Sequence, residues 1–183
     1  MKLKELSTVR SGIPQRAWAS EPGDRSARVI LAKHISRDGS ICSMDQISSF
    51  TDIKRGKKLA QGDVLFVNRG RFVSAAISPP PREPCLASGA ILVLTPAESL
   101  LHPEYLAFFL NSTRGQALLH RHSETTTVPY IKAANLAELD IPVPDLARQQ
   151  KLVALHRALN EHKNLTAQKH LLFQAILSGQ NPS

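Results

Sequence analysis

The sequence predicts an α+β protein: a mixed α/β domain over residues 1–144, then one long C-terminal α-helix over 145–180. Three observations carry this. Eleven of the 12 prolines and all glycines but Gly179 fall before residue 145. Strand-length apolar runs in that part alternate with turn residues. From 146 to 178 there is neither Pro nor Gly, and helix formers dominate.

In chain order, strands are predicted over 27–35, 63–68, 72–77 and 89–95. Arg37-Asp38-Gly39-Ser40 and Pro79-Pro80-Pro81 serve as turns. Residues 102–110 read as a helix with Pro103 in its first turn, and 113–120 as a second helix. Ile141-Pro142-Val143-Pro144 forms an elbow. Asp145 is placed to cap the long helix and Gly179 to stop it. At 1.5 Å per residue that helix is about 50 Å long, longer than the domain it leaves. Leu155, His162, Lys169 and Ile176 recur every seven residues, as do Ala158, Leu165 and Leu172. They form a seam with two polar a positions. The seam fits either a helix folded back on its own domain or one paired with another long helix; pairing is the expectation.

The 183 residues carry 23 Lys and Arg against 15 Asp and Glu, a net charge of +8. This balance favours a polyanionic partner. Aromatics make up only 5%, which argues against single-strand binding on stacked rings. The two cysteines, Cys42 and Cys85, are too few for a disulfide scaffold or a four-cysteine zinc site. Neither a signal-peptide core nor a membrane-length apolar run is seen, so a soluble, cytoplasmic protein without a membrane partner is expected.

Enzyme signatures are weak. Phosphate-cradling glycine loops and hydrolase elbows are absent from the sequence. His120-Arg121-His122, with His102, lacks a completing ligand, and Arg121 would repel a cation, so a solvated basic loop is the better reading. Asp52-Ile53-Lys54 matches half of a metal-nuclease site over only three residues. Ser-Pro-Pro-Pro at 78–81 lacks the acid or amide and the aromatic of an amino-methyltransferase motif. No catalytic residues, metal or cofactor are therefore expected. Basic residues say more: Lys54, Arg55, Lys57, Lys58, Arg69 and Arg71 face one acid, Asp63, between positions 54 and 71. Such residues release counterions at a duplex, and Arg also reads guanine edges bidentately.

Four stretches, in order, resemble the target-recognition half of a type I restriction-modification specificity subunit. The first is Lys2-Leu3-Lys4-Glu5-Leu6 with Val9-Arg10-Ser11-Gly12-Ile13. The second runs Leu59-Ala60-Gln61-Gly62-Asp63-Val64-Leu65-Phe66-Val67-Asn68-Arg69-Gly70. The third is Pro103-Glu104-Tyr105-Leu106 through Phe109-Leu110-Asn111-Ser112, then Gly115-Gln116. The last joins Thr127-Val128-Pro129-Tyr130-Ile131, Leu139-Asp140-Ile141-Pro142-Val143-Pro144 and Gln149-Gln150-Lys151-Leu152-Val153. The resemblance implies a non-catalytic domain that reads half of a split site on double-stranded DNA. It also implies a connector helix that spaces two such domains and docks DNA methyltransferase subunits, with translocase-nuclease restriction subunits joining the same assembly. The full-length pattern has two recognition domains and two connectors. This chain has one of each, so a homodimer is the simplest replacement.

On this reading Arg69 and Arg71 contact bases or phosphates, and Lys57 and Lys58 contact phosphates. Arg16, Arg25, Lys33, His34 and Tyr130 follow from their places at loops or strand ends. Leu152, Leu155, Leu159, Leu165, Leu172 and Ile176 would join the helices. His162 and Lys169 would face the seam, so pairing should weaken in acid. The alternatives are a small metal-dependent nuclease, or a helical adaptor of a phage-defence complex that does not bind DNA.

Overall fold

The computed structural model describes residues 1–14, 25–36, 38–42, 47–50, 58–124 and 127–177. Its elements are α1 Leu3–Leu6, β1 Ser7–Ser11, β2 Arg25–Ile30, β3 Ile47–Phe50, β4 Val64–Val67, β5 Val73–Ala76, β6 Cys85–Ala87, β7 Ile91–Pro96, α2 Pro103–Asn111, α3 Thr113–His122, α4 Ala133–Ala137 and α5 Leu146–Leu177. This is the expected α+β arrangement, with a long helix last.

One sheet has the order β1-β7-β4-β5 and is antiparallel throughout. The second has the order β3-β2-β6, with β2 parallel to β6 and antiparallel to β3. The larger sheet is buried on both faces. Val64, Phe66, Leu92 and Leu94 pack under α1, α2 and α3 against Leu3, Leu6, Leu106, Leu110 and Leu119. Leu65, Val67, Ile91 and Val93 face Ile30, Cys85 and Ala87 of the smaller sheet. That double burial explains why β4 and β7 read as unbroken apolar runs rather than alternating ones. Burial also pushes the Cys85 thiol pKa up, leaving it a core residue.

The predicted strand over 27–35 ends early. β2 stops at Ile30, and Ala32–His34 forms a single 3-10 turn instead. The His34 Nδ1 accepts the Leu31 amide at 3.2 Å, which closes that turn from within. In α2, Pro103 occupies the first position and the His102 ring accepts the Glu104 amide. The hydroxyl of Ser112 caps α3 by accepting the Gly115 amide at 3.1 Å. Any side chain at 115 would meet the Phe109 carbonyl at 2.0 Å, so glycine permits the close α2–α3 corner. The second helix extends through His122, so the triplet 120–122 is a helical last turn rather than the loop expected.

Asp145 Oδ1 accepts the Arg148 amide at 2.9 Å, the expected cap of α5; Gly179 lies outside the described residues. At 32 residues α5 is about 48 Å long. Its start folds back on its own domain. Gln149 and Val153 are buried, Leu152 is half-buried on the same core, and the His156 ring lies 4.5 Å from that of Phe108. Arg157 forms a two-pronged ion pair with Glu104. Beyond Asn160 every described side chain of the helix is exposed.

Candidate nucleic-acid interface

The β4–β5 hairpin turns through Asn68-Arg69-Gly70-Arg71, and the left-handed φ of Gly70, +77°, permits the turn. A distant segment straps this tip. The Gly70 amide donates to the Pro129 carbonyl at 2.8 Å and the Ile131 amide to the Asn68 carbonyl at 3.0 Å. Asn68 is buried, and its Nδ2 donates to the Ile131 carbonyl at 3.4 Å. Arg69 and Tyr130 are thereby bridged as antiparallel partners, and the Arg69 guanidinium carbon sits 5.2 Å from the Tyr130 ring centroid. An exposed cation–π contact of this kind is worth about 0.5–1 kcal/mol. It holds the arginine while leaving its donors in water.

More cations gather beside this tip. Phe72, next to Arg71, stacks on Phe66 and lies 5.4 Å from the His120 ring. That contact brings the last turn of α3, with His120 and Arg121, alongside the hairpin. Lys132 follows the strap and pairs with Glu124 at 2.6 Å; this contact raises the Lys132 pKa. Arg69, Arg71, His120 and Arg121 are all exposed. Among the described residues, no carboxylate pairs with Arg69 or Arg71. The sequence set His120 and Arg121 aside; their one visible signal was cationic character at a helix C-terminus, which the helix dipole also favours.

The remaining candidates do not join this cluster. Lys58 is exposed, but it precedes β4, at the far end of the strand from Arg69. Its carbonyl accepts Arg10 Nη2, which also pairs at 2.9 Å with Asp63. Asp63 is only 3% exposed and further accepts the Ala60 amide and the Thr95 hydroxyl. The glycine–aspartate motif thus braces the start of β4. Lys33 is exposed on the 3-10 turn, whereas the His34 ring is buried and occupied by the Leu31 amide, which leaves it little to offer a ligand. Arg16, Lys54, Arg55 and Lys57 lie outside the described residues, as do Asp52-Ile53-Lys54 and the side chain of Arg25.

Of the six helix-contact candidates, Leu155, Leu159, Leu165, Leu172 and Ile176 are 49–67% exposed, and Leu152 is half-covered by its own domain. A groove of about 980 Å3 runs between α2, α5 and the loops at 38–41 and 78–83, past Phe108, Asn111, His156 and Arg157. It contains none of the candidate contact residues. Among the described residues, no three His, Cys, Asp or Glu side chains gather as a metal set, and no helix is long and apolar enough to cross a membrane.

A family model described as "Type I restriction modification DNA specificity domain" matches residues 26–172. Among solved structures, the chain is similar to one from work on complex assembly and conformational transition of the type I R-M system. That match has 17% identity and a TM-score of 0.70, over 97% of this chain and 42% of that one. It is also similar to the HsdS subunit from Thermoanaerobacter tengcongensis, with 18% identity and a TM-score of 0.60 over 88% of this chain and 37% of that one. The type I restriction-modification system S subunit from M. genitalium matches at 14% identity and a TM-score of 0.56, over 91% and 40%. The chain therefore spans less than half the length of these solved relatives. A search of curated proteins finds no match.

Proposed function

We infer the function from one premise: the chain belongs to the type I restriction modification DNA specificity domain family. It reads double-stranded DNA in a sequence-specific way and directs a partner DNA methyltransferase subunit to the site, without catalysing a reaction itself. The supporting observation is the hairpin tip, where two exposed guanidiniums without carboxylate partners flank Gly70 and one is held over Tyr130. An Arg fork fixed by backbone straps and an aromatic ring is suited to bidentate contact with a base edge. Around it, His120 and Arg121 supply positive charge for the backbone. Lys58, Lys57, Lys33, Arg16 and Arg25 would add phosphate contacts from other loops.

Residues 1–144 form the recognition unit on this reading, and 145–180 the connector. The exposed leucines of α5 pair with the same helix of a second copy. An antiparallel pair would hold two recognition domains about 48 Å apart, roughly one and a half turns of B-DNA, and would read an inverted repeat with a spacer. A restriction translocase subunit would join the methyltransferase in the cytoplasm. The test is methylome sequencing of cells with and without the gene. The reading expects one split, symmetric motif to lose methylation on deletion. An unchanged methylome would overturn it, and magnesium-dependent cleavage by the purified chain would favour the nuclease.

A further inference from the structure

We propose that Gln149 is a positioning residue that fixes the direction in which α5 leaves the domain, and through it the spacing of the two DNA half-sites; the spacing part rests on the function proposed above. Gln149 is fully buried in the first turns of α5. Its Oε1 accepts the His102 amide at 2.8 Å, and its Nε2 donates to the Leu100 carbonyl at 2.9 Å and the Pro144 carbonyl at 2.8 Å. Both amide hydrogens and the oxygen are therefore used. They bind three backbone groups belonging to the entry of α2 and the elbow before α5. Those groups have fixed directions, so the side chain accepts one helix orientation only.

The second anchor is the Arg157–Glu104 ion pair with the His156–Phe108 contact, about 10–12 Å further along the helix. Arg157 is mostly exposed, so this anchor is the softer of the two. From Gln149 to Leu177 the helix is a lever of about 42 Å. A tilt of about 10° at its base moves the tip by roughly 7 Å, two base pairs at 3.4 Å each. A buried knot at the base of such a lever has a large effect at its end.

The test uses the full chain with Cys42→Ser, and spin labels on Ala90→Cys in the domain and Gln168→Cys on the free part of α5. Labelled chain is diluted with unlabelled chain so that the reading is within one molecule. The parent should give one narrow distance. Gln149→Met fills the same space and donates to neither carbonyl, so it should spread that distance while the domain still melts cooperatively. Gln149→Glu retains an acceptor for His102 but, when ionised, no donor, and should also spread it. In parallel, hydrogen exchange of the parent His102 amide needs no variant: protection equal to the core is expected. An unchanged narrow distance in a folded variant, or an unprotected His102 amide, overturns the proposal. On DNA, the parent should accept one spacer length and Gln149→Met its neighbours as well. If the distance spreads but the parent ignores DNA, the positioning role stands and the functional reading fails.

Discussion

Replacing Arg69 with alanine removes a guanidinium that has no ion-pair partner among the described residues and leans on the Tyr130 ring 5.2 Å away. Within the protein, only the exposed cation–π contact is lost, about 0.5–1 kcal/mol. That is small against the 5–15 kcal/mol typical of a folded domain. At a guanine edge, the loss of a bidentate fork costs about 1–3 kcal/mol, roughly 5- to 150-fold in affinity. Binding should therefore fall well before stability does. Arg69→Lys should retain much of the non-specific affinity and lose the discrimination, because the charge remains and the fork does not. Tyr130→Ala should weaken binding by up to about fivefold through loss of the ring that holds Arg69. The assay is fluorescence anisotropy on a duplex selected from a random pool by the parent, compared with a scrambled duplex, over a salt series. If Arg69→Ala binds and discriminates as the parent does, the hairpin tip is not the reading head.

Three further outcomes follow from the fold. Asp63→Asn breaks a pair with Arg10 whose acid is buried and whose base keeps some contact with water. It should cost about 3 kcal/mol and lower the thermal midpoint by roughly 6–12 °C, read by circular dichroism. Burial on Phe108, then the nearby charge of Lys163, holds the His156 pKa below its ordinary 6.5, against the opposing pull of Asp38 and Glu104. A folded value below the unfolded one means that this contribution is present above pH 6.5 and is lost as pH falls through the folded value. His156→Phe should accordingly flatten the stability–pH curve below pH 6.5 relative to the parent; parallel curves in thermal melts would refute this. Leu165→Asp puts a charge in the exposed seam and should convert a dimer mass to a monomer mass by light scattering. A parent already monomeric at micromolar concentration would remove the dimer and the inverted repeat together.

Features written locally in the chain were legible in the sequence. His102 and Pro103 start α2, Asp145 starts α5, and the absence of Pro and Gly carries α5 to its end. β4 and β7 stood out because burial on both faces demands continuous apolar runs. Short elements were not legible: α1, β6 and α4 have three to five residues and take their shape from tertiary contacts. The strand predicted to reach residue 35 is cut by the His34 ring bonding a backbone amide three residues back, and periodicity contains no trace of that bond. The site divides in the same way. Basic residues between 54 and 71 look like one patch in the sequence, yet β4 separates Lys58 from Arg69. The meeting of Arg69 and Tyr130 closes a loop of 61 residues, a contact that no local pattern announces.

The two readings left open for the long helix each describe part of it. At about 100° per residue, Gln149, Val153, His156, Arg157 and Asn160 share the side that meets the domain. Leu155, Leu159, Leu165, Leu172 and Ile176 lie on the side turned away, which is the seam available to a second copy. The last turns differ from both. Leu171, Leu172, Phe173, Ile176 and Leu177 are all exposed, and by the same rotation they cover most of the helix circumference. Leu171 continues the domain-facing stripe at a level the domain does not reach. A helix apolar around its girth is stable in water only when more than one surface covers it. One antiparallel partner covers one side. The distal end therefore fits a place where the second copy and a further protein meet, as it would if the methyltransferase docked against the paired connectors.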